Sequence, residues 1–147
     1  VFAASGQTGI APAVCYESIY GEFMRGFMLN GASLIFIITN DGWWRKTPGH
    51  RQHAQYARLR AIEHRRSIAR AASTGISSFI DQRGRVIQKT QWWEATAISA
   101  NINQNHELSF YSRRGNFLGR LSLFLSALYL LVMLTRKLMH QPGRSRS

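Results

Sequence analysis

Residues Leu121 to Leu134 read Leu-Ser-Leu-Phe-Leu-Ser-Ala-Leu-Tyr-Leu-Leu-Val-Met-Leu without a single charge. This run restricts the chain more than any other feature. With its flank back to Asn116 it supplies about 20 residues, or about 30 Å of α-helix, the thickness of a bilayer core. A core helix of a water-soluble domain keeps a polar face, and this run has none. Arg120 falls in the first turns, where a long side chain can snorkel to the headgroups. Arg136 and Lys137 close the segment. A membrane-spanning helix is expected here. Basic residues after it (Arg136, Lys137, Arg144, Arg146) slightly outnumber those before it (Arg113, Arg114, Arg120), which favours a cytoplasmic C-terminus.

The preceding residues alternate between strand and helix signals. Residues 1 to 9 look like a loop, and Ile10 to Val14 is a candidate strand. From about Ser18 to Leu29, Ile19, Tyr20, Phe23, Met24, Phe27 and Met28 recur at helical spacing, with Asn30-Gly31 as a stop. Leu34 to Ile38 is continuously apolar and β-branched, as in a central strand buried on both faces. Asn40-Asp41-Gly42 ends it with turn chemistry. Thr47 as N-cap and Pro48 as first residue open a helix running to about Arg65. Ser67 to Ala72 reads as a strand, Ile76 to Asp81 and Val86 to Lys89 as a hairpin, and Ala95 to Ile102 as a last strand. The order β-α-β-α-β-β-β places the chain in the α/β class, or in a mixed α+β class.

The 147 residues carry a formal charge of +12. Such an excess suits nucleic acid, an anionic membrane surface or a missing acidic remainder. Nucleic-acid modules interleave exposed stacking aromatics with their basic residues, and no such motif occurs. A surface apposed to anionic phospholipid gains about 1 kcal/mol per well-placed Lys or Arg, so a membrane partner is expected and nucleic acid is not. The single cysteine rules out an internal disulfide and a thiolate zinc cluster. His50 and His53 share a helix face but lack a third ligand. They read as structural polar groups, and neither metal nor cofactor is expected. Glu63, among Arg60, Arg65 and Arg66, reads as an ion-pair hub on the helix.

That cysteine, Cys15, stands between the strand Ile10–Val14 and the helix that follows. At a helix N-terminus, unpaired N–H groups and the positive dipole end favour a thiolate. The same groups could hold an oxyanion formed at an attacked carbonyl. A buried Cys acting as a small hydrophobe is the alternative. Glu17 could equally serve as a first-turn carboxylate stabilising the helix.

Val14-Cys15-Tyr16-Glu17-Ser18 resembles the nucleophile motif of the nitrilase superfamily. Thr39-Asn40-Asp41-Gly42-Trp43-Trp44, Thr47-Pro48-Gly49, Gln52-His53, Ala57 through Glu63 and Thr74-Gly75-Ile76-Ser77 are similar to its apolipoprotein N-acyltransferase branch. The wording Asn-Asp-Gly-Trp-Trp and Arg-Arg-Ser-Ile-Ala-Arg is similar to Bacteroidetes-type members. The resemblance implies the C-terminal half of an α-β-β-α sandwich facing the periplasm at the bacterial inner membrane. It implies transfer of an acyl chain from a phospholipid donor to the diacylglyceryl-cysteine of an apolipoprotein acceptor, through a thioester on Cys15. On that likeness Cys15 is the nucleophile, Glu17 a supporting carboxylate, and Tyr16 a backbone oxyanion donor. Trp43 and Trp44 would line the acyl-chain entrance, or pack in the core. Arg45 stands where relatives often have a small residue, and would meet lipid phosphate. The family's general-base Glu and oxyanion Lys have no counterpart here, so the chain by itself is expected to be inactive.

The expected organisation is a catalytic part over residues 1–112, a transmembrane helix with basic flanks over 113–137, and a basic, disordered tail over 138–147. The chain starts Val-Phe-Ala-Ala-Ser, which reads as a fragment. Two other functions compete: a soluble nitrilase-type amidase using the same cysteine, and a non-enzymatic binder of nucleic acid or membrane surface.

Overall fold

A computed structural model describes residues 1–3 and 8–139. It divides into a compact unit, Val1–Gly115, and a second unit from Asn116 onward. In the first unit a six-stranded sheet runs in sequence order. The strands are β1 (Phe2–Ala3), β2 (Gly9–Val14), β3 (Leu34–Thr39), β4 (Ser67–Ala72), β5 (Ser78–Ile80) and β6 (Val86–Lys89). β2, β3 and β4 are parallel, with Ala11 opposite Ile35 and Ile35 opposite Ile68. β1, β5 and β6 add antiparallel edges.

Two crossovers join the parallel strands. The first holds a five-residue 3-10 turn (Cys15–Ile19) and helix α1 (Gly21–Leu29); the second holds a 3-10 turn (Gly42–Trp44) and helix α2 (Gly49–His64). Period-two alternation turns Ala11, Ala13, Ile35, Ile37, Ile68 and Ile80 to one face, where they meet Met24 and Met28 of α1 and Ala57 and Ala61 of α2. The two alanines let α2 lie close on the strands. Each buried isoleucine contributes about 1.5–3 kcal/mol of transfer free energy.

The mixed α/β layering expected from the sequence is present, with local differences. β3 is buried along only one face: on the other, Leu34 is covered, but Phe36 and Ile38 point away from the helices, and Ile38 is 63% exposed. Val14, paired with Ile38, is open too. The expected helix at Ser18–Leu29 breaks at Tyr20, whose backbone is extended, so α1 starts at Gly21. Thr47 does not cap α2; its hydroxyl donates to the Trp44 carbonyl at 2.6 Å and closes the preceding turn. The helix ends where Arg65 turns left-handed, with φ of 54°. Residues 1–9 are not all loop, because Phe2 and Ala3 pair with Ile10 and Gly9.

Ala95–Ile102 forms no ladder. Residues 96–98 cross the open sheet face beside Phe36, Ile38 and Phe79 instead. The chain then runs under the strand starts, held where Ser67 donates to the Asn103 carbonyl (2.8 Å) and Arg66 to the Glu107 carbonyl (2.8 Å). A short helix, α3 (Phe110–Arg114), follows; His64 Nδ1 and Ser112 Oγ share a hydrogen bond there at 2.9 Å. Three arginines serve this unit from inside. Arg60, Arg66 and Arg70 are each at most 4% exposed, so part of the basic excess is structural.

The second unit is helix α4 (Phe117–Met139), 23 residues with a mean hydropathy of 2.0 in its most apolar window and none of that window buried. It is long and apolar enough to cross a membrane. Leu138 and Met139 extend the helix; the rest of the basic tail, from residue 140, lies outside the described residues.

Candidate active site

Parallel sheets collect their functional groups at the C-terminal ends of their strands. Here those ends present Cys15 after β2, the Asn40–Trp44 turn after β3, and Ser73–Gly75 after β4. Cys15 is half-buried and free. It opens a 3-10 turn rather than the expected α-helix, and its φ is 50°. A side chain in the left-handed region costs roughly 1–3 kcal/mol and persists only where its surroundings over-determine it. Several groups do so. Ser18, fully buried, donates its hydroxyl to the Cys15 carbonyl at 2.8 Å. The Glu17 carboxylate accepts the Val14 N–H at 2.8 Å. His53 Nε2 lies 3.3 Å from the Cys15 carbonyl oxygen and 3.5 Å from Ser18 Oγ.

Behind His53 is a buried polar chain. Its Nδ1 lies 2.8 Å from Asp41 Oδ1, which also accepts the Thr39 hydroxyl at 3.0 Å. The other carboxylate oxygen of Asp41 takes Arg70 Nη2 at 2.6 Å. Arg70 turns a second N–H to the Ile76 carbonyl. Burial alone would raise the Asp41 carboxyl; hydrogen bonds and charge from His53 and Arg70 outweigh it and hold the group at about 2. Gly75 makes room for this pair, because a Cβ there would collide with the Asp41 side chain. The neighbouring Asn40 Oδ1 accepts from Gly42 N–H (3.0 Å) and the Thr74 hydroxyl (2.8 Å), tying the β3 turn to the β4 turn.

An aromatic wall stands beside Tyr16, the residue after Cys15. Trp43 and Trp44 stack at 4.2 Å between ring centroids. The Tyr16 ring lies 5.9 Å from Trp43 and 6.1 Å from Trp44, and stacks on His53 at 5.4 Å. Trp44 lies flat on the first residue of α2, where a Cβ on Gly49 would strike its ring. Tyr16, Trp44, Gln52, His53 and Tyr56 line a cleft of about 150 Å³. Trp43 is 59% exposed and forms the outer side of the wall, whereas Trp44 is half-buried and packs on α2.

The fold thus brings Cys15, Tyr16, Trp43 and Trp44 together. Glu17 holds the backbone of Val14. Arg45 ends the Trp turn with φ of 49° and an exposed side chain. His50 and His53 part company: His53 faces Asp41, while His50 stacks on Trp92 at 3.8 Å. Among the described residues no three His, Cys, Asp or Glu side chains gather to hold a metal. Glu63 pairs with Arg60 at 3.1 Å, whereas Arg66 turns to the carbonyls of Ala32 and Glu107 and Arg65 ends the helix. The hub expected around Glu63 is a single pair. Burial raises the Glu63 carboxyl against the pull of Arg60.

Sequence reasoning had not joined Asp41 to His53 and Arg70. A signal existed: Arg70 shares the inward register of Ile68, and a buried guanidinium requires an acceptor. Which acid would supply it, 29 residues away, is a tertiary fact.

Residues 1–107 match the profile of the carbon-nitrogen hydrolase family. The chain is 35% identical over 128 residues to an apolipoprotein N-acyltransferase of Chlorobaculum tepidum, covering 87% of this chain and 24% of that protein. It is 39% identical over 133 residues to apolipoprotein N-acyltransferase 2 of Leptospira interrogans, covering 87% and 22%. The chain therefore spans about a quarter of the length of these curated relatives. The crystal structure of a carbon-nitrogen hydrolase from Helicobacter pylori shares the fold, with a TM-score of 0.50 at 15% identity over 55% of this chain and 36% of that one. Strand, left-handed cysteine and turn stand in a half-sandwich of that architecture, and the chain belongs to the carbon-nitrogen hydrolase family.

Proposed function

We propose that this chain is the nucleophile-bearing part of an enzyme that acylates apolipoproteins at the inner membrane, with its catalytic unit on the periplasmic side. One observation carries the reading: a free cysteine, anchored through its own carbonyl at the end of a parallel strand, shares a chain with a helix of membrane-spanning length. The names of the relatives support the same activity.

In the first half-reaction Cys15 Sγ attacks the ester carbonyl of a phospholipid acyl chain. The ester C–O bond breaks, the lysophospholipid leaves with a proton, and a thioester remains. In the second, the α-amino group of the acceptor's diacylglyceryl-cysteine attacks that thioester. The C–S bond breaks, an amide forms, and the proton returns to the thiol. The Tyr16 N–H serves the oxyanion. Trp43 and Trp44 guide the acyl chain, and Arg45 meets the lipid phosphate. The reaction also needs a general base and a second oxyanion donor, roles for which no residue of this chain is assigned, and none of the chemistry calls for a cofactor.

Mass spectrometry of the intact protein after incubation with phospholipid vesicles tests the reading. An acyl adduct on Cys15, absent in Cys15→Ser and discharged by a diacylglyceryl peptide, is expected. No adduct, together with release of ammonia from small amides, would replace it with an amidase.

A further inference from the structure

We infer that Asp41 and His53 form a clamp on the nucleophile: the Nε2–H of His53 donates to the Cys15 carbonyl and keeps that residue in its left-handed conformation. The inference rests on Cys15 being the acylated residue, as proposed above.

The proton count follows from the partners. Asp41 Oδ1, 2.8 Å from Nδ1, belongs to an ionised carboxylate and can only accept, so Nδ1 carries a proton. At Nε2 the neighbours are the Cys15 carbonyl at 3.3 Å and Ser18 Oγ at 3.5 Å. The one hydroxyl proton of Ser18 already goes to the Cys15 carbonyl at 2.8 Å, so Ser18 offers His53 only lone pairs. Both ring nitrogens therefore have an acceptor beside them, and at Nε2 that acceptor is the Cys15 carbonyl. The charged and titratable groups around it are few. Asp41 comes from the turn after β3. Arg70 comes from β4, with Nη2 at 3.4 Å from Nδ1. Tyr16 stacks on the ring from the nucleophile turn, planes inclined by 19°. The two Asp41 oxygens divide between His53 and Arg70.

What separates a clamp from a mere brace is where the ring ends. Its far nitrogen reaches the carbonyl of the nucleophile itself, the residue with φ of 50°. With Ser18 alone left on that carbonyl, Cys15 has room to relax toward an ordinary conformation and swing its sulfur away. A displacement of about 1 Å at a reacting atom is worth roughly 100-fold in rate. Asp41 and His53 are thus positioning residues that act through the peptide of Cys15.

Two isosteres divide the functions of the ring. His53→Asn keeps a donor where Nδ1 faces Asp41 and loses the reach to Cys15. His53→Gln keeps a donor near the Nε2 position. In the intact protein with phosphatidylethanolamine vesicles, His53→Asn should lower the kcat of thioester formation by about 10- to 100-fold, the equivalent of one charge-assisted hydrogen bond, with KM little changed. His53→Gln should restore most of that loss although, lacking the donor that Asp41 accepts at Nδ1, it should be the less stable of the two to urea. Equal losses in the two variants, or none in His53→Asn, would overturn the clamp. The alkylation rate of Cys15 by iodoacetamide gives the same comparison without acyl chemistry. If the wild type forms no acyl adduct, the acyl-transfer reading fails while the clamp is still judged on alkylation. In protein labelled with 15N-histidine, the His53 Nε2 resonance should show a directly bonded proton; an Nε2 without one would refute the proposal.

Discussion

Replacing Arg70 with methionine probes the buried charge that organises the site. Arg70 is 3% exposed and its Nη2 lies 2.6 Å from an Asp41 carboxylate that is itself fully buried. Methionine fills much of the space but offers no donor. Asp41 would keep Thr39 and His53 and lose its strongest counter-charge. Breaking one side of a buried pair costs about 3–5 kcal/mol, because the abandoned charge is left desolvated. Adding Asp41→Asn removes that charge, so the double variant should recover part of the loss instead of summing the two. The acid limb supplies a second reading. The Asp41 carboxyl is lowered from 3.8 to about 2, so it contributes about 2 kcal/mol of stability. A depressed carboxylate makes that contribution above about pH 4 and loses it as pH falls to about 2. In Arg70→Met the Arg70 hydrogen bond and charge no longer oppose burial, which pushes the carboxyl up, so this acid limb should move to higher pH. Urea unfolding of the intact protein in detergent, followed by tryptophan fluorescence across that range, measures both effects. A loss at neutral pH below about 1 kcal/mol, or strictly additive variants, would refute the reasoning.

His64 is buried neutral; desolvation, then the charges of Arg60 and Arg66, lower it from 6.5 to about 4. Its contribution, about 3 kcal/mol, is complete above about pH 6.5 and is lost as pH falls to about 4, because only the unfolded chain takes up the proton there. His64→Gln should flatten the stability–pH curve in that window. Gly49→Ala should lift Trp44 off α2, since overpacking of about 1–3 kcal/mol exceeds the helix gain of about 1 kcal/mol; quenching of tryptophan fluorescence by acrylamide should rise. Ile37→Ala should cost about 2–5 kcal/mol in urea unfolding. Ile38→Ala should cost about 2 kcal/mol in the intact protein if a second layer covers the open sheet face, as a complete α-β-β-α sandwich requires; a change within about 0.5 kcal/mol would leave that face uncovered.

Local chemistry made much of this protein legible in its sequence. The uncharged run from Leu121 to Leu134 admits only a helix without a polar face, and α4 is that helix. The β-branched run at Leu34–Ile38 made a strand, and Gly84, with φ of 78°, turns the hairpin. Cys15 at the end of an apolar stretch marked where the chain had to turn. These features depend on neighbours a few residues apart, whose constraints travel with the sequence. Ala95–Ile102 had strand-like residues, but a strand exists only with a partner edge, and β6 already closes the ladder. Phe36 and Ile38 looked fully buried, yet burial depends on what covers a face. The join of Asp41, His53 and Arg70 spans 12 and 29 residues and arises because adjacent parallel strands end at one level while α2 lies over them. Composition announced an excess of arginine; only the tertiary structure decided that three of those charges would be spent inside, where water cannot solvate them and each must find an acceptor of its own.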